Sequence, residues 1–255
     1  MRFPRKTGVL LLSLSLATAC GTAGQQHTAH GNSLKLCTNA PFDPFEFEQD
    51  GTIVGFDIDL ARLVAKAAGK PLEVVNVDFD AISDGSALRE GRCDLAAAGI
   101  TITPERQRQV DFSRPYFEAS QALLTRKKSK VKSLKDADQV GVQTGTTGLD
   151  YVRQEGLEPV EYDDSMEQLL ALQTDEVDAL VQDRPVVAVW LTKFKLSGEL
   201  KLIGSLDTGE QYGMAVRKGD DALLGTVNRA LDAARQDGTY ERLYKQWFGG
   251  EPPEV

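Results

Sequence analysis

The chain has 255 residues, enough for one large domain or two modest ones. Apolar residues make up 41% and charged residues 26%, which is typical of a soluble globular protein and excludes disorder as the main state. The net charge of −9 argues against nucleic acid as the main partner, because phosphate binding needs a basic surface.

Residues 1–19 have the pattern of a secretory signal peptide. Arg2, Arg5 and Lys6 precede an apolar run that is too short to cross a bilayer permanently. Small residues then lead to Cys20, in an arrangement that resembles a bacterial lipobox with the usual leucine one place early. We therefore predict an exported protein with a lipid on Cys20, and an ordinary cleaved signal is the alternative.

Residues 20–32 are small and polar, which predicts a flexible tether after the lipidated cysteine. Both histidines, His27 and His30, lie in this tether, so the folded part contains none. That excludes Ser-His and Cys-His catalysis and histidine metal sites within the fold, and the sequence indicates no metal and no cofactor.

Two cysteines remain in the predicted fold, Cys37 and Cys93. Export to an oxidising compartment favours a disulfide between them. Cys37 lies near the end of one predicted strand, however, and Cys93 lies just before another, which could leave them too far apart. The sequence leaves this pairing open.

The first half of the folded part alternates between strand and helix patterns. Strands are predicted at 34–38, 72–77 and 94–100, and helical spacing of apolar residues predicts a helix that starts at Phe56 and ends before Gly69. Such alternation implies a mainly parallel sheet covered by helices.

The same alternation restarts in the second half. Strands are predicted at 139–143, 159–163, 178–182 and 212–217, and helices at 148–155, 165–173, 184–194, about 220–236 and 239–248. A capping box is predicted at Ser165 and Gln168. Two α/β units suggest two lobes, and because ligands of such folds bind beyond the carboxyl ends of the strands, a cleft between the lobes is the predicted site.

One strand end, in the segment GITITPER, places an arginine at a helix start. Thr103 is a good N-cap and Pro104 fits the first helical position, so Arg106 falls in the first turn. A basic residue there opposes the helix dipole and becomes favourable if an anion lies at the same place. A surface ion pair with Glu105, Asp111 or another acid is the alternative.

Two further strand ends carry suitable groups. Gly145 and Gly148 surround two threonines at a helix start, which makes either an anion-binding cluster of N–H groups or a plain turn. Asp183 follows the strand at 178–182 and could cap the next helix or hold a cation. Together the three ends offer the set of charges that a zwitterion needs.

Four segments make the chain similar to a known family. PFEFEQDGTIVGFDIDLARLVAK, AAAGITITPERQRQVDFSRPYF, VGVQTGTTGLDY and QDGTYERLYKQWFG resemble, in this order, the family 3 extracellular solute-binding proteins. These are the amino-acid-binding components of ABC importers, and the glutamine-binding branch is the nearest comparison. The resemblance covers residues 34–249.

The resemblance implies an α/β, two-lobed, periplasmic-binding-protein-like (type II) fold. Two mainly parallel sheets with flanking helices are expected, joined by a two-segment hinge. By this resemblance the hinge lies at 116–120 and 208–212, lobe 1 at 33–115 and 213–249, and lobe 2 at 121–207.

The resemblance also implies eleven ligand contacts. Arg106 is expected to bind the α-carboxylate with Thr101 and the backbone at Thr147. Asp183, Thr101 and the carbonyl of Gly99 are expected to bind the α-ammonium. The other positions are two aromatic residues, three amides and one small residue: Phe42, Phe79, Asn39, Gln143, Gln182 and Ala98. Core packing is the alternative for the two phenylalanines.

The implied function is that of a monomeric receptor for a free L-amino acid. It would be periplasmic, or lipid-anchored to the outer face of the bacterial membrane, and would deliver the ligand to an ABC permease and its ATPase. A secreted dehydratase on the same scaffold and a sensing protein for a separate membrane receptor are the alternatives. The dehydratase would need a general acid in the cleft, where the sequence places no acid besides Asp183.

Three neutral amides at the side-chain positions predict the ligand class. An amide suits a side-chain amide or hydroxyl and leaves a buried guanidinium uncompensated. We therefore predict glutamine first and asparagine next, with cationic ligands weaker by at least about tenfold. Asp43, Asp80 or Asp84 could still supply a negative charge.

Overall fold

The computed structural model describes residue 1, residues 31–250 and residue 252. Most of the predicted signal peptide, Cys20 and both histidines lie outside the described residues. Within the described part, no helix is both long enough and apolar enough to cross a membrane.

The strands and helices follow the predicted alternation. The strands are β1 Leu34–Thr38, β2 Phe47–Gln49, β3 Thr52–Val54, β4 Leu72–Asn76, β5 Leu95–Ala96, β6 Val110–Phe112, β7 Phe117–Arg126, β8 Val140–Gln143, β9 Val160–Tyr162, β10 Ala179–Asp183, β11 Leu200–Tyr212 and β12 Ala215–Arg217. The helices are α1 Phe56–Ala67, α2 Phe79–Ser83, α3 Ser86–Arg89, α4 Pro104–Gln109, α5 Thr147–Gln154, α6 Ser165–Gln173, α7 Arg184–Thr192, α8 Asp221–Gln236 and α9 Thr239–Phe248.

The strands form two five-stranded sheets and one small hairpin of β2 and β3. The first sheet has the order β4-β1-β5-β12-β6 and the second the order β11-β7-β10-β8-β9. We call the half built on the first sheet lobe 1 and the half built on the second sheet lobe 2. The predicted α/β, two-lobed fold class is confirmed.

Strand direction is more mixed than the sequence indicates. In lobe 1, β1 pairs in parallel with β4 and β5, whereas β12 is antiparallel to β5 and β6. In lobe 2, β8 is parallel to β9 and β10, whereas β7 is antiparallel to β10 and β11. The antiparallel pairs arise because the chain crosses between the lobes and returns.

The helices cover the sheets with the apolar faces that their spacing predicts. In α1, Phe56, Leu60 and Val64 are fully buried, and α1 packs against α8 and α9. Each such side chain stabilises the fold by about 1.5–3 kcal/mol. A cluster of aromatic rings that includes Phe45 and Phe117 fills the space where the lobes meet.

Two long strands, β7 and β11, were not predicted. They pair in antiparallel fashion from Phe117 with Tyr212 up to Arg126 with Leu200. The register shifts between Leu206 and Glu210, so that residues 207–209 lie opposite Ser120. This interruption falls at the two segments predicted as a hinge, whose bounds, like those of the lobes, stay a prediction.

Two predicted strands are shorter than expected. The strand predicted at 94–100 is limited to β5, because the chain turns at Gly99, where φ is +56° and a Cβ would lie 2.7 Å from the Phe42 ring. The strand predicted at 212–217 is divided, because Tyr212 ends β11 and β12 starts at Ala215. The first break places Ala98 and Gly99 in the wall of a cavity between the lobes, whereas the backbone at the second break is hydrogen-bonded to Ile100 and Ser113.

The capping box predicted at Ser165 and Gln168 is wrong. Asp164 is the N-cap of α6, and its carboxylate accepts from the N–H groups of Met166 and Glu167. Ser165 Oγ instead donates to the carbonyl of Pro41 in the other lobe, at 2.6 Å. Gln168 is buried beneath the second sheet, so its side chain serves the core rather than the helix start.

Cys37 and Cys93 form a disulfide. Their Cα atoms are 5.6 Å apart, within the usual range for such a bond, so the separation that the strand positions suggested does not arise. The bond joins the end of β1 to the chain just before β5, directly behind the region that contributes Gly99.

Candidate functional site

The eleven residues predicted to contact a ligand all line one cavity between the lobes. Its empty space is about 420 Å³, counting the part open to solvent. The predicted residues are Asn39, Phe42, Phe79, Ala98, Gly99, Thr101, Arg106, Gln143, Thr147, Gln182 and Asp183. The cavity is also lined by four residues that the sequence did not single out: Glu46, Gln121, Thr146 and Val181. The placement agrees with the expectation, and the role of each residue stays a prediction.

Arg106 is fixed at the start of α4 with its guanidinium in the cavity wall. Thr103 caps the helix by accepting from the Arg106 N–H at 3.2 Å, as the sequence predicts. The side chain is only 7% exposed, and its two terminal nitrogens donate to the carbonyls of Thr101 and Gly145, each at 2.9 Å. Burial lowers the pKa of Arg106, but a guanidinium stays protonated in proteins.

Among the described residues Arg106 forms no ion pair, although Asp150, and then Glu210 and Asp183, lie close enough to favour its charged form. Asp111 pairs with Lys218 instead, at 2.6 Å, and the hydrogen bonds of the Arg106 side chain go to main-chain oxygens. A neutral carbonyl offsets little of a full positive charge. The buried guanidinium therefore remains available to an anion in the cavity.

The turn between β8 and α5 brings N–H groups to the same cavity. Thr146 is the N-cap, accepts from the N–H of Leu149 at 3.2 Å and donates to the carbonyl of Gln143 at 2.7 Å. Gly145 has φ +74°, and a Cβ there would lie 2.9 Å from Ser83 Oγ in the other lobe. Only glycine allows this close approach, which places the turn opposite Arg106.

Asp183 ends β10 with a carboxylate that points to the site. It directly precedes α7, but its side chain makes no capping hydrogen bond, so the plain N-cap alternative is wrong. Gln121 Nε2 and the Tyr212 hydroxyl both donate to this carboxylate. Burial, and then the nearby Glu210, raise the pKa of Asp183 to about 7. The hydrogen bonds from Tyr212 and Gln121 act in the opposite direction and lower this pKa. An ammonium group in the cavity would favour the charged form.

The three amides expected to contact the ligand side chain are already engaged. Asn39 Nδ2 donates to the carbonyl of Val77 at 2.8 Å, and Gln143 Nε2 donates to Asn39 Oδ1 at 2.9 Å across the cleft. Gln182 Nε2 donates to Gln168 Oε1 at 2.8 Å. These partners orient the amides and occupy part of their bonding capacity, which leaves fewer free groups for a ligand.

The two phenylalanines both line the cavity and pack into the protein. Phe42 and Phe79 are each 8% exposed. The Phe42 ring lies 5.8 Å from that of Phe45, and the Arg106 guanidinium lies 5.6 Å from the Phe79 ring centre. The ligand-facing and core-packing interpretations therefore describe the same side chains.

Glu46 is the acid that the sequence interpretation missed. It is fully buried, and neither carboxylate oxygen has a hydrogen-bond partner among the described residues. Burial, and then the charges of Asp57 and Asp183, raise the pKa of Glu46 well above its usual range. The nearby backbone N–H of Asn39 acts in the opposite direction and lowers this pKa. A glutamate between two phenylalanines in PFEF is the signal that could have drawn attention to it.

The three aspartates that the sequence suggests as possible negative groups for the ligand side chain make other contacts. Asp43 forms an ion pair with Lys193 of the other lobe. Asp80 accepts from the N–H of Ala81, and Asp84 accepts from the main chain as well. None of the three lines the cavity.

The lobes touch each other on both sides of the cavity, which identifies the closed form of a two-lobed protein. On one side Arg106 reaches Gly145. On the other side Lys193 pairs with Asp43 and lies 4.2 Å from the centre of the Phe47 ring. A ligand held in this form would be enclosed by residues of both lobes.

Comparisons with known proteins agree with this geometry. A probable histidine-binding protein of Neisseria gonorrhoeae is 33% identical, over 95% of this chain and 94% of that protein. The arginine-binding extracellular protein ArtP of Bacillus subtilis (strain 168) is 33% identical, over 92% of this chain and 93% of that protein.

Solved structures match equally well. An ancestral arginine-binding protein bound to glutamine has a TM-score of 0.81 and 41% identity, over 87% of this chain and 100% of that chain. A structure described as an ancestral arginine-binding protein bound to arginine has a TM-score of 0.80 and 41% identity, over 86% of this chain and 99% of that chain. The family model described as bacterial extracellular solute-binding proteins, family 3, matches residues 34–250. The chain belongs to the family 3 bacterial extracellular solute-binding proteins.

Proposed function

We propose that this protein is an extracytoplasmic receptor that encloses one free L-amino acid between its lobes and delivers it to an ABC importer. The observation that carries the proposal is the pair of opposite buried charges, Arg106 from lobe 1 and Asp183 from lobe 2, in the wall of one cavity. An α-carboxylate and an α-ammonium offset both charges, which burial would otherwise make costly. Relatives named for binding arginine, histidine and glutamine support this ligand class.

The same arrangement explains how a ligand would favour closure. The carboxylate would bind Arg106 of lobe 1 and the N–H groups near Thr147 of lobe 2, and the ammonium would bind Asp183 of lobe 2 and the Gly99 carbonyl of lobe 1. A ligand that contacts both lobes binds the closed form more tightly than the open form. It therefore shifts the population toward closure.

Titration of ligand-stripped protein with the twenty amino acids tests the proposal. We expect saturable binding of one molecule per chain for at least one L-amino acid, and much weaker binding of its D-enantiomer, because the charges fix the configuration at Cα. Calorimetry gives both the affinity and the stoichiometry. Absence of binding by all twenty would contradict the proposal.

The same titration tests the side-chain prediction. Glutamine, then asparagine, is predicted from Asn39, Gln143 and Gln182, with cationic ligands at least about tenfold weaker. That ranking considers only neutral groups at these positions. The structure adds the carboxyl of Glu46 to the same cavity, and its charge bears directly on the ranking.

We also propose that Cys20 carries the lipid that holds the receptor at the membrane. In the natural host or a bacterial host that processes lipoproteins, the wild-type protein should partition with membranes, because two acyl chains bind far more tightly than one. Cys20→Ser should release or mislocalise it. Fractionation and the intact mass of the mature protein measure both, and a product cleaved elsewhere with an unmodified Cys20 would contradict the lipid anchor.

Transport, sensing and dehydration make different demands on the surroundings of this protein. Neighbouring genes for a permease and an ATPase would favour transport, and their absence would favour a sensor for a separate membrane receptor. A dehydratase would convert a prephenate-like acid, whereas a receptor would leave it unchanged. An absorbance assay of such an acid distinguishes the two. We propose the transport role, because full-length relatives are named for binding and one is named as part of an ABC transporter.

A further inference from the structure

Glu46 is held firmly in the wall of the proposed ligand cavity. Its main chain pairs with Phe42, whose N–H donates to the Glu46 carbonyl at 2.6 Å. The side chain is fully enclosed, and neither carboxylate oxygen receives a hydrogen bond of ordinary geometry from the described residues, although the nearby backbone N–H of Asn39 favours its charged form. A buried carboxyl without a partner is expensive, so it either keeps a proton or receives a positive group from a ligand.

None of the side chains found to interact with Glu46 among the described residues carries a positive charge. Asp57 of α1 and Asp183 at the end of β10 are acids. Tyr116, which precedes β7, is a neutral phenol that lies close enough to interact with the Glu46 carboxylate. Asp57 has its own donors, the Gly99 N–H at 2.9 Å and the Tyr116 hydroxyl at 2.7 Å. Arg106 gives its terminal nitrogens to the carbonyls of Thr101 and Gly145. Glu46 is therefore the unmatched acid of the site.

A count of charges in the cavity wall indicates what would match it. Arg106, Glu46 and Asp183 are the ionisable residues that line the cavity. The carboxylate and ammonium of a zwitterion offset Arg106 and Asp183, which leaves Glu46. A neutral side chain on the ligand leaves Glu46 to be protonated, whereas a guanidinium or ammonium group on the side chain offsets the ionised form.

We infer that Glu46 selects an L-amino acid with a positively charged side chain, such as arginine or lysine, and that it releases one proton to solvent when that ligand binds. The inference rests on the proposed function and reverses the ranking obtained from the three amides. It follows that a neutral ligand of the same shape binds more weakly and leaves the proton in place. Arginine affinity should accordingly rise with pH above the usual range of carboxyl pKa values, since burial raises the pKa of Glu46 and its proton must leave.

Arginine and citrulline provide a matched pair of probes, because citrulline has nearly the same shape and no side-chain charge. We would titrate ligand-stripped full-length protein with both at pH 7.5, and with glutamine as a further neutral ligand. The wild-type protein should prefer arginine over citrulline by at least about tenfold, which corresponds to 1.4 kcal/mol. Repeating both titrations in two buffers of different ionisation enthalpy should show about one more proton released per arginine than per citrulline, because any proton that Asp183 loses to the α-ammonium is lost with either ligand.

The variant Glu46→Gln keeps the shape of the side chain and removes its charge. It should lose the preference for arginine over citrulline and release no more protons with arginine than with citrulline, while citrulline binding stays within about threefold of wild type. Glu48→Gln is the matched control, since Glu48 lies two residues later, in β2, and is exposed, and it should behave as wild type in every titration.

Two results would overturn the inference. If Glu46→Gln weakens arginine and citrulline equally, Glu46 serves the α-ammonium or the fold rather than the side chain. If wild-type protein binds citrulline or glutamine at least as tightly as arginine, the site is not selective for a positive charge, and this measurement stands even if the variant fails to fold. Either result leaves the amino-acid receptor intact, whereas failure of all twenty amino acids to bind would instead contradict the proposed function.

Discussion

Replacing Arg106 with alanine is expected to weaken binding of the amino acid by about 2–5 kcal/mol, or roughly thirty- to several-thousand-fold. The ligand carboxylate would be buried in the cavity without its charged partner, which costs more than the loss of an exposed contact. Arg106→Lys should recover only part of the affinity, because lysine keeps the charge but lacks the planar pair of donors. Isothermal titration with the tightest natural ligand provides the measurement.

Arg108 provides the matched control for that variant. It lies two residues further along α4 and is exposed, so Arg108→Ala removes the same charge from the same helix without reaching the cavity. Its affinity should equal that of wild type. Thermal unfolding without ligand should change little in either variant, and binding by Arg106→Ala within threefold of wild type would show that the carboxylate is held elsewhere.

Asp183→Asn is expected to have an effect of similar size on the other end of the ligand. The substitution keeps the shape of the side chain and removes the negative charge that we assign to the ammonium, so affinity should fall by about 2–5 kcal/mol. Because Gln121 and Tyr212 donate to different oxygens of the carboxylate, the single oxygen of an amide can accept from only one of them, and the amide N–H groups repel an ammonium in the cavity. Calorimetry with the same ligand gives the change.

Asp138→Asn serves as the control for Asp183→Asn, because Asp138 is an exposed acid of the same lobe and lies away from the cavity. It should leave binding unchanged. A ligand that loses its ammonium, such as the corresponding deamino acid, should bind Asp183→Asn and wild type with a smaller difference than the amino acid does. Unchanged amino-acid affinity in Asp183→Asn would remove this residue from the ammonium site.

Local sequence signals predicted the parts of this protein that depend on local interactions. The bounds of β1, α1 and α9 match the apolar spacing, and a glycine follows the end of each of the two helices. Thr103 caps α4 because a threonine before a proline fits only that position, and this is why Arg106 could be placed from the sequence. The same approach failed by one residue at α6, where Asp164 and Ser165 are both good N-caps and only the structure shows which one faces the helix.

The features that were missed depend on distant parts of the chain. The strand β7 reads FEASQALLTR, whose polar residues obscure the pattern, and its partner β11 lies about eighty residues further along. Pairing across that separation has no local signature. Glu46 was missed for a related reason: the charge of a residue is visible in the sequence, whereas its burial and its lack of a partner depend on Asp57, Tyr116 and Asp183.

The interruption in the β7–β11 ladder bears on how long a ligand stays bound. On one side of the interruption a short section of the ladder includes the pair Phe117 and Tyr212. The neighbouring Gln211 carbonyl accepts from the N–H of Ile102, which ties this short section to lobe 1. On the other side, the longer section from the pair Gln121 and Leu206 to the pair Arg126 and Leu200 belongs to the sheet of lobe 2. Residues 207–209 and Ser120 have no register partners in this ladder, so a bend confined to them would leave the paired residues of both sections in place. If the predicted hinge bends at this place, we expect the barrier to opening to be set by the contacts across the cleft, above all those of the ligand, and the residence time to report the strength of those contacts rather than the stiffness of the connecting strands.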